Sequence, residues 1–188
     1  SGGWNPAVQL FSQSRGKLRY SDEISSFVPD VLIDHQYVVG CNNGEFNLRQ
    51  SLLNSFQAGI SAAHQTGNKI EVNQFIDDAV EPYGFTISDV VPYVLGSKPV
   101  THGSKQFIDF QNDVTAADIF LAQREGYVSV EHTKRYTTTG MATDQGKTSN
   151  VNALAIMSHI QNKPVGEVGH TTFRPPYVPQ TFGAIAGR

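Results

Sequence analysis

The sequence predicts a mixed α+β chain, a partial α/β piece followed by a small helical domain. Two observations carry this reading. The first 66 residues hold short β-type runs and a Gly/Asn loop ahead of one helical repeat, and the residues after 113 hold three successive runs at helical spacing. Between them Pro82, Gly84, Pro92, Gly96 and Pro99 interrupt short apolar runs, which reads as a connector. The expected divisions are therefore 1–66, 67–106 and 107–188.

In the first stretch Lys17-Leu18-Arg19-Tyr20 alternates polar and apolar residues, and Gln36-Tyr37-Val38-Val39 is a β-rich run ending at Gly40, so both read as strands. From Phe46 the apolar positions Leu48, Leu52, Leu53, Phe56, Ile60 and Ala63 take helical spacing. The order is strand, Gly40-Cys41-Asn42-Asn43-Gly44, helix. Such a turn offers free N–H groups and a positive dipole end, which suits a dinucleotide pyrophosphate, but the full G-x-G-x-x-G spacing is lacking. An ordinary βα turn explains the same residues. Cys41 has no cationic neighbour to activate it and reads as a small buried residue.

In the third stretch Thr115 with Asp118 three residues on marks a helix start, and Gly126 its end. A second helix runs through Lys134 and Arg135 towards Gly140. A third begins near Asn150, with Val151, Leu154, Ala155, Met157, Ser158 and Ile160 on one face, and stops by Pro164. The loop between the last two gathers Lys134, Arg135, Thr137, Thr138, Gly146 and Lys147, donors suited to a phosphate or another anion. A Thr-rich capping loop with solvated cations is the alternative. The glycines miss the P-loop spacing and no strand leads in, so nucleotide triphosphate hydrolysis is excluded. Thr171 to Pro179 is too rich in proline for a helix and reads as an extended segment lying on a surface.

Composition narrows the partners. Fourteen Lys+Arg against 17 Asp+Glu give a net charge of −3, too mild for a nucleic-acid surface. No run approaches the ~18 apolar residues of a membrane span, and no signal peptide opens the sequence. One cysteine excludes a disulfide framework, and six scattered histidines without i, i+4 pairs argue against a metal site. With 16% charged residues the chain is charge-poor, so part of its surface is expected to be covered. The loop chemistry at both ends reads as an internal segment of a longer polypeptide.

Ser1-Gly2-Gly3-Trp4-Asn5-Pro6, the block from Lys134-Arg135-Tyr136-Thr137-Thr138 through Gly140-Met141-Ala142-Thr143-Asp144-Gln145-Gly146-Lys147, and Thr172-Phe173-Arg174-Pro175-Pro176-Tyr177 together resemble the alpha subunits of heterotetrameric sarcosine oxidases. The resemblance runs through the chain in order. It implies a fragment joining the end of a dinucleotide-binding domain, through a connector, to a helical ferredoxin-like domain and the linker to a missing folate-binding part. That enzyme family oxidises sarcosine to glycine, forming hydrogen peroxide and either formaldehyde or methylene-tetrahydrofolate. Its FAD lies in the beta subunit, a covalent FMN lies between alpha and beta, and NAD lies in alpha.

On this resemblance Gly40, Cys41, Asn42, Phe46 and Leu48 form one wall of an NAD site, and the Lys134–Lys147 loop faces the FMN at the interface. No catalytic residue is expected in the chain, and the isolated fragment is expected to be inactive. The expected partners are the flavin-bearing beta subunit and the smaller subunits, in the cytoplasm. The third stretch also resembles the small ferredoxin-like domain of bacterioferritin-associated ferredoxin, where four cysteines hold a two-iron cluster. Here Asp109, Gln111, Asp144 and Ser149 stand at those positions, so no iron–sulfur cluster is expected. A non-catalytic assembly module, or the equivalent subunit of a related amine or opine oxidase, is the competing reading.

Overall fold

The structure, a computed structural model, describes residues 5–33, 35–70, 105–175 and 177–186. The chain divides into two compact units, Ser1–Val90 and Val91–Arg188. Most of the expected connector, from 71 to 104, lies outside the described residues.

In the first unit, helix α1 (Gln9–Gln13) leads into an antiparallel hairpin of β1 (Lys17–Ser21) and β2 (Ser26–Val31). Phe11 is buried, and its ring lies so close to Gly16 that a Cβ there would meet it at 2.4 Å. Tyr20 faces Phe27 across the hairpin with ring centroids 5.2 Å apart, a cross-strand pair that fixes the register. Buried Ser26 donates to Asn5 Oδ1 at 2.8 Å, tying the incoming chain to β2. A 3₁₀ turn (Gly40–Asn43) precedes the long helix α2 (Leu48–Gln65).

Two expectations change here. The run 36–39 is not a strand: Val39 is extended, but a strand needs a neighbour to complete its ladder, and the partner of β1 is Ser26–Val31 instead. The sheet of the described first unit is thus a two-stranded antiparallel ribbon, and no strand enters the Gly40 turn. Helix α2 stands where the spacing placed it, yet none of its residues is buried, and Leu48 and Leu52 are exposed.

The second unit opens with a short antiparallel pair, β3 (Phe107–Asp109) and β4 (Val114–Thr115), followed by α3 (Ala116–Arg124), α4 (Val130–Thr137), α5 (Asn150–Gln161) and the short α6 (Val165–Val168) and α7 (Phe182–Ile185). Thr115 and Asp118 act as expected: the Asp118 carboxylate accepts from the Thr115 N–H at 2.8 Å and from its hydroxyl at 2.7 Å. Ile119 and Ala122 of α3 pack with Val130 and with Ala153, Leu154, Ile156 and Met157 of α5 into the core. The buried face of α5 is therefore rotated from the expected one. Leu154 and Met157 are on it, whereas Val151, Ala155, Ser158 and Ile160 are only half-buried.

Candidate functional site

Gly40, Cys41 and Asn42 occupy the 3₁₀ turn, with Gly40 at φ +63° and the turn closed by Gly44 at φ +79°. A Cβ on Gly44 would approach Ile24 and Val28 at 3.1 Å, so close packing and backbone conformation both favour glycine. Cys41 is exposed, not buried as expected, because none of the turn's residues is buried. At the start of α2 the Asn47 side chain accepts from the Gln50 N–H at 2.9 Å, and Glu45 Oε1 accepts from the Asn47 N–H at 2.8 Å. The helix end thus already has a cap and a carboxylate. Cys41, Asn42 and Leu48 remain exposed and Phe46 half-buried.

The donors expected to form one anion cradle mostly hold partners within the chain. Arg135 pairs with Glu131 at 3.3 Å one helical turn earlier, and also donates to the Glu131 carbonyl. Lys147 Nζ donates to the Tyr177 carbonyl at 3.2 Å and lies 4.2 Å from the Tyr177 ring centroid. The Gly146 N–H is held by Asp144 Oδ1 at 3.0 Å. Thr137 donates to the Thr133 carbonyl at 2.8 Å and lies 2.7 Å from the Thr139 hydroxyl, while Thr138 caps α4 at φ +64°. Lys134 differs. It is half-buried beside a small pocket shared with Thr139, Asn150 and Thr171, and makes no hydrogen bond or ion pair among the described residues. Burial lowers its pKa from the ordinary 10.5; Glu131 opposes this, and the nearby charges of Arg174 and Arg135 add to it.

Hydrogen bonds also join the two segments that the ferredoxin-like resemblance would join through a cluster. Asp109, 1% exposed, accepts from the N–H groups of Gln111 at 2.9 Å and Asn112 at 3.1 Å through Oδ1, and from that of Gly140 at 2.8 Å through Oδ2. Gln111 donates to Thr143 at 3.1 Å and accepts from the Asp144 N–H at 3.1 Å. Asn112 reaches the Thr138 carbonyl at 3.0 Å. Ser149 is fully buried, and its hydroxyl has no hydrogen-bond partner among the described residues. No group of three or more His, Cys, Asp or Glu among the described residues is placed to hold a metal ion.

The extended segment after residue 169 lies on this loop, as its prolines suggested. Thr171 accepts from Asn150 at 3.2 Å, the Thr172 N–H reaches Glu131 Oε1 at 3.2 Å, and the Arg174 N–H reaches Gln145 Oε1 at 3.2 Å. Glu131 and Asn150 were missed as organising residues. The i, i+4 spacing of Glu131 to Arg135 was the available signal for the first, and nothing local marks the second.

Residues 103–188 match the sarcosine oxidase A3 domain family. Over 189 residues, 100% of this chain and 19% of the relative, the chain is 37% identical to sarcosine oxidase subunit alpha of Corynebacterium sp. (strain P-1). It is 40% identical to the subunit of Corynebacterium sp. (strain U-96) over 192 residues, 100% of this chain and 20% of the relative. Identity to the Rhizobium meliloti (strain 1021) subunit reaches 60% over 83 residues, 44% of this chain and 8% of the relative. The chain thus spans about a fifth of the length of the two Corynebacterium relatives. L-proline dehydrogenase from P. horikoshii shares the fold, with a TM-score of 0.65 at 20% identity over 99% of this chain and 38% of that one. No described helix is long and apolar enough to cross a membrane. Along its whole length the chain is similar to part of the sarcosine oxidase alpha subunits of the two Corynebacterium strains, and over residues 103–188 to the sarcosine oxidase A3 domain family.

Proposed function

We propose that the chain is a portion of a sarcosine oxidase alpha subunit, working in the cytoplasm within an assembly that converts sarcosine to glycine with flavin, NAD and tetrahydrofolate. The observation that carries this reading is the match along the whole chain to two alpha subunits at 37% and 40% identity. The chain supplies contacts and an interface to a flavin-bearing beta subunit, while the oxidation takes place on the flavin. Residues 1–66 belong to the dinucleotide-binding part, 67–106 to a connector and 107–188 to the ferredoxin-like domain.

The Gly40–Leu48 region contributes to NAD through the uncharged parts of the dinucleotide, because Glu45 and Asn47 already occupy the start of α2. The Lys134–Lys147 loop faces the FMN. Its part is positional: Arg135, Lys147 and Gly146 hold the loop and the extended segment in shape, leaving Lys134 as the loop cation without a partner among the described residues. Co-expression of the full alpha subunit with the flavin-bearing subunit, followed by assays of flavin content and peroxide release, tests the proposal. Peroxide release with sarcosine supports it. A flavin complex that responds only to opines or other N-alkyl amines would move the chain to the related-oxidase reading, and failure to assemble with any flavin subunit would refute both.

A further inference from the structure

The β3–β4 turn and the loop after α4 meet in a seam that exposes apolar side chains and no charge. The Gly140 N–H donates to Asp109 Oδ2 at 2.8 Å, the Gln111 side chain bonds both the Thr143 hydroxyl and the Asp144 N–H at 3.1 Å, and Asn112 Nδ2 donates to the Thr138 carbonyl at 3.0 Å. Residues 109–112 are thereby laid along 138–144. At this seam Phe110 is 75% exposed and Met141 51%, and Phe107, 39% exposed, has its ring centroid 6.2 Å from that of Phe110. Across 107–112 and 138–143 the one charged residue type is Asp109, whose carboxylate is buried and bonded through both oxygens. Charged residues flank these segments instead: Lys105, with its Nζ 5.9 Å from the Phe107 ring centroid, and Asp113 and Asp144.

We infer that Phe110 and Met141, with Phe107 beside Phe110, are the apolar anchors by which this domain docks into an uncharged recess of the flavin-bearing subunit. Composition carries the inference: a centre of Phe and Met without charge, flanked by Lys and Asp, is the anatomy of an interface core and its rim. A charged surface laid on this centre would lose its hydration and find no opposite charge, so the partner is apolar here. The hydrogen bonds hold both segments before any partner arrives, and covering them costs little ordering of the backbone. Three partly exposed side chains fall well short of the roughly 800 Å² per partner that a stable complex buries. The seam is therefore the centre of a wider contact and not a self-sufficient patch for a second copy. Its occupant follows from continuity, because 138–143 lies inside the Lys134–Lys147 loop that the proposed function turns towards the flavin-bearing subunit, and the inference rests on that reading.

The test measures the dissociation constant between the full alpha subunit and the flavin-bearing subunit for the native protein and for Phe110→Ser, Met141→Ser and Asp113→Asn. Association at least about tenfold weaker is expected in each serine variant, as for a central interface residue. Less than about a threefold change is expected in Asp113→Asn, since a rim charge acts mainly on the association rate and its salt dependence. Both serine variants change exposed side chains, so their unfolding midpoints should match that of the native subunit. A photoreactive phenylalanine analogue at position 110 then identifies the neighbour. Attachment to the flavin-bearing subunit supports the inference, whereas attachment to a second alpha subunit or to another part of the same one overturns the occupant. Native affinity in both serine variants would overturn the anchors and leave the reading of the loop standing. A native alpha subunit that associates with no flavin-bearing subunit would refute that reading, and this occupant with it.

Discussion

Asp109 shows how much one buried side chain can organise. Its two oxygens accept from three backbone N–H groups, one of them 31 residues away at Gly140, so the carboxylate ties the β3–β4 turn to the loop after α4. Replacing it with alanine strands these donors in a site with 1% exposure. Asp109→Ala is therefore expected to lose about 2–4 kcal/mol, and Asp109→Asn less because one acceptor oxygen remains; urea unfolding midpoints check both. Lys134 is a second case, read through pH. Its pKa in the folded chain lies below the ordinary 10.5, mainly because of burial. Under both values the folded and unfolded chains carry the proton alike, and the penalty of the half-buried charge is constant. Between them the unfolded chain binds more protons, so stability rises with pH across that window. Lys134→Met should remove this rise, seen as a flatter pH dependence of the unfolding midpoint up to pH 10.5 than in the native chain. Equal slopes in the two proteins would mean that Lys134 does not feel its surroundings.

The elements were legible where a local signal decided them. Thr115 with Asp118 marked the start of α3, and Pro164 limited α5, because caps and prolines act within a few residues. β2 was hidden by Pro29, which takes its place in a two-stranded ribbon opposite Leu18 beside a register irregularity, where a missing N–H is tolerated. The run 36–39 has the composition of a strand but no strand partner among the described residues, and partners are set by the fold and not by the run itself. The site divides in the same way. Basic and Thr-rich composition pointed to the α4–α5 loop, whereas the committed partners of Arg135 and Lys147 could be read only after Glu131 and Tyr177 had been brought beside them. That loop also yields a double-mutant test. A Cβ on Gly146, at φ +77°, would lie 2.0 Å from Asn150 Oδ1. Gly146→Ala should cost about 2–4 kcal/mol from clash and backbone strain together. In an Asn150→Ala background the same change should cost only about 1 kcal/mol, the strain alone. Additive losses in unfolding experiments would show that Asn150 yields without cost.

At the scale of the whole molecule the two units differ in what they bury. Among the described residues the first unit's buried apolar side chains are Pro6, Val8, Phe11, Val28 and Pro29, all outside α2, and the 18-residue α2 contributes none. The second unit encloses Ile108, Val114, Ala116, Ile119, Ala122, Val130, Ala153, Leu154, Ile156 and Met157. Helical propensity alone leaves a helix of this length marginal in water, and burial of an apolar face normally supplies the rest. The amide hydrogens of α2 should therefore exchange far sooner than those of the core helices α3 and α5. In the isolated chain, Ile119, Ala122, Ile156 and Met157 are expected to outlast the middle of α2, at Leu53 to Ile60, by at least about a hundredfold, or about 3 kcal/mol of opening free energy. The same measurement in the full subunit assembled with its partners distinguishes two origins of that difference. If Leu48 and Leu52 are covered in the assembly, protection of α2 rises towards that of α5 while α3 and α5 change little. If α2 is already as protected as α5 in the isolated chain, its apolar residues are covered without any partner and the contrast between the units fails.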